Sequence, residues 1–225
     1  MNNPNSIEWW NNSNSIQWWN NPNTWKENIW ESLKNTLDFV ESCKRQGFIV
    51  GENWVLTKYM GNESSITIPE WVKKIWDGVF CKLWIEEVII PSTVEKIWDD
   101  AFERCKNLKK IVISKWVKKI WDDAFWDSWI EEITIPSTVE KIWNSAFKGC
   151  KNLKKVEILK WVKEIWDGAF CGSWIEEITI PGTVKWIWNN VFENCIDLKT
   201  IKLPSNFKWY DDLWINSNCI IICVD

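Results

Sequence analysis

The chain has 225 residues, of which 26% are charged, and a formal net charge of −4. So small a charge excludes a protein that binds nucleic acid or an acidic membrane through its overall field, and no apolar run approaches the roughly 20 residues of a membrane-spanning helix. The chain has no histidine, which removes the side chain used most often for general acid–base catalysis and for metal binding.

Residues 1–25 form a segment of their own, with two near-copies, NSIEWWNN and NSIQWWNN, in a composition rich in Asn and Ser. The segment has no apolar periodicity, which is typical of a flexible tether. It also lacks the basic stretch and apolar core of a secretory signal. If residue 1 is the true start, the sequence therefore predicts a cytoplasmic protein.

Residues 26–62 are predicted to form an N-terminal cap. In KENIWESLKNTLDFVESCKR (26–45), apolar side chains recur near helical spacing, so we expect an amphipathic helix. This helix either covers the first turn of the following repeats or binds a partner. Residues 48–60 contain two short extended pieces around a Gly-Glu-Asn turn, which would shield the same edge.

A repeat occupies residues 63–210. Each copy has an I-x-I strand, and its second aliphatic position recurs at alternating separations of 22 and 23 residues: Ile68, Ile90, Ile113, Ile135, Ile158, Ile180 and Leu203. A fixed period of this length predicts a solenoid, in which each turn buries its apolar face against its neighbours.

One turn of the coil is best seen in residues 108–130. Ile111 and Ile113 have strand spacing, and Val117 and Ile120 indicate a second extended piece on the opposite wall. Asp122 precedes Ala124-Phe125, a position that suits the N-cap of a one-turn helix. The predicted fold is an α/β solenoid of about seven strand–strand–short-helix turns with an N-terminal helical cap. Residues 211–225 end in an apolar strand, expected to form the last turn because an unpaired one would aggregate.

The pattern L-x-x-I-x-I-P-x-x-V-x-x-I-x-x-x-A-F-x-x-C-x-x-L resembles the BspA-type leucine-rich repeats of bacterial surface and adhesion proteins. The stretch NWVLTKYMGNESSITIPEWVKKI (53–75) is similar to the entry segment of that family. The resemblance implies a right-handed leucine-rich-repeat coil, a non-catalytic scaffold for protein binding, and a cell-surface or secreted location. That location conflicts with the lack of a secretory signal.

The tryptophans of this chain depart from the pattern of that family. In the family repeat, glycine follows the isoleucine of the second extended piece, the position of Ile120 here. The slot holds Trp76, Trp98, Trp121, Trp143, Trp166 and Trp188, and Trp54 and Trp71 stand at glycine positions of the entry segment. Elsewhere tryptophan alternates with polar residues, as in the slot of Trp116, Thr138 and Trp161, but never with core Leu, Ile or Phe. A genuine indole, which buries a large apolar area, should do the opposite.

We therefore infer that most of the 23 tryptophans are glycines in the organism. Translating a gene that reads UGA as glycine with a table that reads UGA as tryptophan gives this pattern, and glycine suits turns that need a positive φ. The alternative is a true aromatic ladder that stacks on glycans or single-stranded nucleic acid.

The eight cysteines do not predict a disulfide framework. Cys105, Cys150 and Cys195 share one repeat slot, and Cys81 and Cys171 share another, so neighbours in a set lie two turns apart, about 9–10 Å, beyond disulfide reach. We expect them to act as small buried apolar residues. The sequence predicts no cofactor and no metal site.

The outer face of the strands is the candidate binding surface, since solenoids commonly bind there. Its central positions are Thr67, Ile89, Val112, Thr134, Glu157, Thr179 and Lys202. Charged pairs just before each strand change sign from turn to turn, as in Glu86-Glu87 and Lys109-Lys110, which favours one register and solubility. We expect a monomeric, non-catalytic scaffold that binds a protein partner; glycan or nucleic-acid binding is the alternative if the tryptophans are real.

Overall fold

The structure is a computed structural model that describes residues 34, 41–42, 45–205 and 215–224. The chain divides into two compact units, residues 1–45 and residues 46–225. The predicted tether and most of the helix predicted for residues 26–45 lie outside the described residues. The residues of that helix that the structure describes, 34, 41–42 and 45, have helical backbone, and the described residues do not support its prediction as a cap.

Among its described residues, the second unit contains sixteen strands joined by turns. In chain order they are β1 (Phe48–Val50), β2 (Val55–Tyr59), β3 (Ser65–Thr67), β4 (Lys74–Ile75), β5 (Glu87–Ile90), β6 (Lys96–Ile97), β7 (Lys110–Ile113), β8 (Lys119–Ile120), β9 (Glu132–Ile135), β10 (Lys141–Ile142), β11 (Lys155–Ile158), β12 (Glu164–Ile165), β13 (Glu177–Thr179), β14 (Trp186–Ile187), β15 (Thr200–Pro204) and β16 (Ile220–Val224). A single 3-10 turn, Glu52–Trp54, joins β1 to β2.

The strands form two sheets that alternate along the chain. The long-strand sheet has the order β16-β15-β13-β11-β9-β7-β5-β3, and the short-strand sheet has the order β1-β2-β4-β6-β8-β10-β12-β14. All neighbours are parallel except β1 and β2, which form an antiparallel hairpin at the start of the short-strand sheet. The predicted coil of about seven turns is confirmed, and its crossovers between parallel strands follow the right-handed rule.

The third side of each turn is not the short helix that the sequence predicts. Asp123 has a φ of +51°, which interrupts helical backbone immediately before Ala124-Phe125. Alternate backbone N–H groups then donate to the next turn of the coil instead of along a helix, as from Phe125 to Ala146 at 2.8 Å. The third side is therefore a stack of tight turns joined by hydrogen bonds between turns.

The aspartate assigned to a helix N-cap bonds to the next turn of the coil. Asp122 Oδ1 accepts a hydrogen bond from the backbone N–H of Asn144 at 3.0 Å, and its Oδ2 accepts one from the Asn144 amide at 3.3 Å. Asp and Asn at this position can thus fix the register between turns. This explains why the copies of the repeat have Asp or Asn there.

The interior is a set of columns in which equivalent residues stack along the coil. Ile90 pairs with Ile113 and Ile135 with Ile158 across adjacent strands. All of these except the partly exposed Ile113 are buried. On the turn side six buried phenylalanines stack with ring centroids 4.9 to 6.0 Å apart: Phe80, Phe102, Phe125, Phe147, Phe170 and Phe192. The prediction that each turn buries its apolar face against its neighbours is confirmed.

Three cysteines line the same interior. The thiols of Cys105, Cys150 and Cys195 are buried and donate to the carbonyl oxygens of phenylalanines one turn back at 3.0 to 3.1 Å. Burial raises the pKa of the Cys105 and Cys150 thiols to about 12 and that of Cys195 to about 11. These cysteines are therefore protonated hydrogen-bond donors of the core and poor nucleophiles, as their repeat slot predicts.

Candidate binding face

The outer face of the long-strand sheet carries the residues predicted to bind a partner. Alternation within each strand points one residue inward and the next outward: in β9, Ile133 and Ile135 are buried while Glu132 and Thr134 are exposed. Adjacent strands pair Thr67 with Ile89, Ile89 with Val112, and Glu157 with both Thr134 and Thr179.

The structure thus brings all seven predicted residues into one line, which we call the central row: Thr67, Ile89, Val112, Thr134, Glu157, Thr179 and Lys202. Lys202 alone is partly buried, because its ammonium pairs with Glu177. Ile89 and Val112 are about two-fifths exposed, and they form a small apolar patch next to the polar part of the row.

A second line of outward side chains, the charged row, runs beside the central row. Its members alternate in sign on neighbouring strands: Glu87, Lys110, Glu132, Lys155 and Glu177. Lys110 Nζ lies 2.5 Å from Glu87 Oε1. Exposed pairs of this kind contribute about 0–1 kcal/mol each, so the row contributes more to register than to stability.

The two rows border a shallow hollow of about 310 Å³, lined by residues 110–113, 132–134, 155 and 157. Lys110, Glu132 and Lys155 were not among the residues predicted to bind, although the sequence shows that the charges before the strands alternate in sign. The hollow is a surface feature with mixed charge and an apolar edge. It suits contact with another macromolecule better than enclosure of a small substrate.

The described part of the chain has neither a candidate metal site nor a helix that could span a membrane. No group of three or more His, Cys, Asp or Glu residues within it is arranged to hold a metal ion. The helices described there are all too short to cross a bilayer.

An acidic ridge follows the turns on the third side of the coil. Burial raises the pKa of Asp99, and repulsion from Asp122 and Asp77 adds to the effect. Burial likewise raises the pKa of Asp123 to about 6, with repulsion from Asp100 and Asp122. The charges of Asp99 and Asp123 therefore oppose folding, because the raised pKa of each makes its carboxylate easier to protonate in the folded state than in the unfolded state.

Asp123→Asn is expected to stabilise the protein at neutral pH. The folded-state pKa lies above the unfolded value of about 3.9, so the wild-type free energy of unfolding falls as pH rises from about 4 to about 6. After allowance for solvent screening, the variant should gain on the order of 1 kcal/mol at pH 7 and nothing near pH 4. Urea unfolding at both pH values measures this difference. The exposed Asp197→Asn is the control, and an equal gain at both pH values would contradict the electrostatic explanation.

A tryptophan directly follows each short strand from β4 to β14, at the position where the family repeat has glycine. These tryptophans stack on one another in a ladder. Neighbouring ring centroids from Trp76 to Trp188 lie 4.7 to 5.3 Å apart. The indole N–H groups of Trp98, Trp121 and Trp143 are buried without an acceptor. An unsatisfied buried donor costs about 1–3 kcal/mol, so the three buried indole N–H groups each lower the stability of the folded state.

Two other tryptophans have backbone angles that side chains disfavour. Trp161 has a φ of +100° and Trp54 a φ of +59°. Bulky residues are outliers at positive φ, where glycine is the default. The indoles at these positions are exposed, so no large burial offsets the backbone strain.

Comparison with known proteins gives one family and several related folds. The model of the BspA type leucine rich repeat region matches residues 58–130 and 118–222, in six copies. A leucine rich cell surface protein from Faecalibacterium prausnitzii A2-165 is 32% identical, over 68% of this chain and 52% of its own, with a TM-score of 0.51. No curated protein matches the chain.

Two further solved structures are similar. The pneumococcal vaccine antigen PcpA is 25% identical, over 68% of this chain and 46% of its own, with a TM-score of 0.60. The T. pallidum leucine rich repeat protein is 18% identical over 78% of both chains, with a TM-score of 0.54, and it shows the fold alone. The chain spans about half the length of the first two structures.

Proposed function

The chain belongs to the BspA-type leucine-rich repeat family, and from that premise we propose that it is a non-catalytic scaffold that binds a protein partner through the central row and the charged row. The observation that carries this proposal is the continuous line of exposed side chains from Thr67 to Thr179 on rigid parallel strands. A site held on strands keeps its geometry better than a site on loops.

The charges of this face support a protein partner. Signs alternate along the charged row, and Glu157 lies in the central row next to Thr134. A polyanion such as nucleic acid would meet a carboxylate at every second strand, whereas a protein surface of mixed charge can match both signs. The cell surface is the setting that the similar leucine rich cell surface protein suggests for such a scaffold.

Charge placed in the central row is expected to abolish partner capture. Thr134 and Thr179 lie on either side of Glu157, so the double variant Thr134→Lys/Thr179→Lys adds two charges and bulk at the centre of the face. We expect at least a tenfold loss of captured partner, or about 1.4 kcal/mol, in pull-downs quantified by mass spectrometry. Asn189→Lys, at an exposed position on the turn side, is the control, and equal capture by all three proteins would refute the binding face.

We also propose that glycine occupies most tryptophan positions in the native protein. The strained backbone of Trp161 and Trp54 and the orphaned indole N–H groups of the ladder support this in physical terms. They add to the sequence argument that tryptophan replaces small and polar residues in the repeats. With glycine there, the aromatic surface disappears while the central row, which contains no tryptophan, is unchanged.

Glycan binding is the second candidate function, and exposed indoles are the observation that favours it. Trp84, Trp129 and Trp174 share one repeat slot and are 80%, 43% and 41% exposed, as sugar-stacking side chains would be. This function depends entirely on genuine tryptophan. Glycan arrays with protein made from the correctly decoded gene distinguish it from the scaffold.

A further inference from the structure

The outer face of the short-strand sheet carries a run of like charge. The second residue of each of these strands, such as Ile97 or Ile120, is buried, so the residue before it points outward. On the neighbouring strands β4, β6, β8 and β10 that outward residue is lysine, and parallel pairing sets these lysines in one line. We call this line the lysine column: Lys74, Lys96, Lys119 and Lys141.

The ammonium groups of the lysine column repel one another. Neighbouring strands lie about 4.8 Å apart, and like charges directly opposite each other on such strands are destabilising. The position one residue earlier, which we call the flanking row, avoids this repulsion because its sign alternates, as from Lys73 to Glu95 to Lys118. The lysine column does not alternate, so a bound anion would remove a repulsion that the fold itself leaves in place.

Most of these ammonium groups also lack a carboxylate partner. Both carboxylates of the flanking row, Glu95 and Glu140, already pair with lysines of that row, at 3.1 and 3.3 Å. Within the lysine column, Lys141 alone has an ion pair among the described residues, with Glu164 at 3.0 Å. The other three lysines of the column are therefore free to pair with anionic groups of a ligand.

The column begins beside an open hollow. The turn between β1 and β2 and the first residues of the lysine rows surround a space of about 610 Å³, lined by residues 51–54, 73–74 and 95. This volume lies within the range of ligand sites, about 300–1,000 Å³. Glycine in place of Trp54 would widen the hollow. One end of a ligand that follows the column can thus be held at Lys73 and Lys74.

The band of free positive charge is narrow. The carboxylates of the flanking row lie on one side of it, and the acidic ridge follows the strands on the other side. A flat anionic membrane or a nucleic-acid duplex is wider than this band and would also meet these carboxylates, and like charges brought together oppose binding. A single linear polymer can follow the column without meeting them.

The strand spacing favours one class of linear polyanion. Successive lysines lie about 4.8 Å apart, close to the length of one sugar in an extended polysaccharide. Successive phosphates of an extended nucleic-acid strand are farther apart. Such a strand would also need aromatic side chains on which its bases stack, and the glycines proposed for the positions beside the column do not supply them. Only this last point rests on the proposed glycines.

We propose that the lysine column binds a linear anionic polysaccharide that carries sulfate or carboxylate groups on most of its sugars. The polymer runs along the coil from the hollow at β4 toward β10, with the ammonium groups of successive strands bound to successive sugars. Binding depends on charge and needs no indole, unlike sugar stacking on exposed tryptophans. The column lies on a different sheet from the central row, so it does not depend on the proposed protein partner.

Isothermal titration calorimetry with heparin, a linear sulfated polysaccharide, tests this site with protein made from the correctly decoded gene. The variant Lys74→Gln/Lys96→Gln/Lys119→Gln should bind at least tenfold more weakly than the wild type. Its plot of the logarithm of the binding constant against that of the salt concentration should be shallower by about 2, at roughly 0.7 per lost contact. Lys74→Arg/Lys96→Arg/Lys119→Arg keeps the charge and should bind as the wild type does.

The glutamine variant should fold, because it removes repulsion between strands and leaves the buried residues unchanged. Circular dichroism and urea unfolding check this. If it fails to fold, Lys96→Gln/Lys119→Gln replaces it, with at least a threefold loss of affinity expected. The control is Lys109→Gln/Lys151→Gln/Lys154→Gln, which removes three exposed lysines outside the short-strand sheet and should leave heparin binding unchanged.

The proposal would be overturned by a wild-type protein that does not bind heparin at low salt, by a folded column variant that binds as tightly as the wild type, or by an equal loss in the control. Equal binding of desulfated heparin would indicate stacking on sugars. Tighter binding of a single-stranded oligonucleotide or of anionic vesicles than of heparin would indicate another class of ligand. Each of these results would also overturn it, and none bears on partner capture by the central row.

Discussion

Phe125→Ala should lower the free energy of unfolding by about 3–5 kcal/mol, the range for deletion of a buried aromatic side chain. Phe125 is completely buried and stacks on Phe102 and Phe147 at 5.2 and 5.1 Å between ring centroids. The loss affects two interfaces between turns at once. The stability of a solenoid is close to a sum over such interfaces. A single cavity in the middle of the phenylalanine stack should therefore lower the free energy of unfolding of the whole coil.

Urea unfolding followed by circular dichroism measures this loss. Val112→Ala is the matched control: it also shortens an apolar side chain, but Val112 is 43% exposed on the outer face, so its replacement should change stability by at most about 0.5 kcal/mol. A loss below about 1 kcal/mol for Phe125→Ala would contradict a tightly packed core.

Trp161→Gly should stabilise protein made with tryptophan at the written positions, by about 1–2 kcal/mol. This is the cost of left-handed backbone for a residue with a Cβ atom, and Trp161 has a φ of +100°. Its indole is 64% exposed, so little burial is lost on replacement. The hydrogen bond from its backbone N–H to Thr183 Oγ1 at 3.0 Å remains available to glycine.

Trp116→Gly is the control because Trp116 occupies the same repeat slot, is 52% exposed and is absent from the residues with positive φ. There glycine relieves no strain and adds disorder to the unfolded chain, so stability should stay unchanged or fall by up to about 1 kcal/mol. Opposite signs for the two variants would support backbone strain as the cause. Equal effects, or a loss of stability in Trp161→Gly, would contradict it.

The two strand walls were predictable because aliphatic spacing alone fixes them. The step from Ile111 to Ile113 gives strand geometry, and the alternating separations between anchors give the pairing of Ile90 with Ile113 seen across β5 and β7. The same alternation put Thr134 and Glu157 side by side on the outer face. Inward and outward positions follow from a period of two, which needs no tertiary information.

The third side could not be predicted in the same way because aspartate favours two local structures. Asp is a common N-cap and also one of the few residues that tolerate left-handed backbone. Asp122, the predicted N-cap, accepts hydrogen bonds from Asn144 of the next turn, and Asp123 beside it has left-handed backbone. The exposure of Ile220, Ile221 and Ile222 in β16 could not be predicted either, because a run of apolar residues in a strand indicates burial.

Peptide mass spectrometry of the protein isolated from its own organism tests the central claim that the strand face, rather than an aromatic surface, is available for binding. The account predicts glycine in the peptides that span residues 54, 98 and 161, with the central row from Thr67 to Lys202 as written. Tryptophan in those three peptides would contradict it and would make the indole ladder a genuine surface of the molecule.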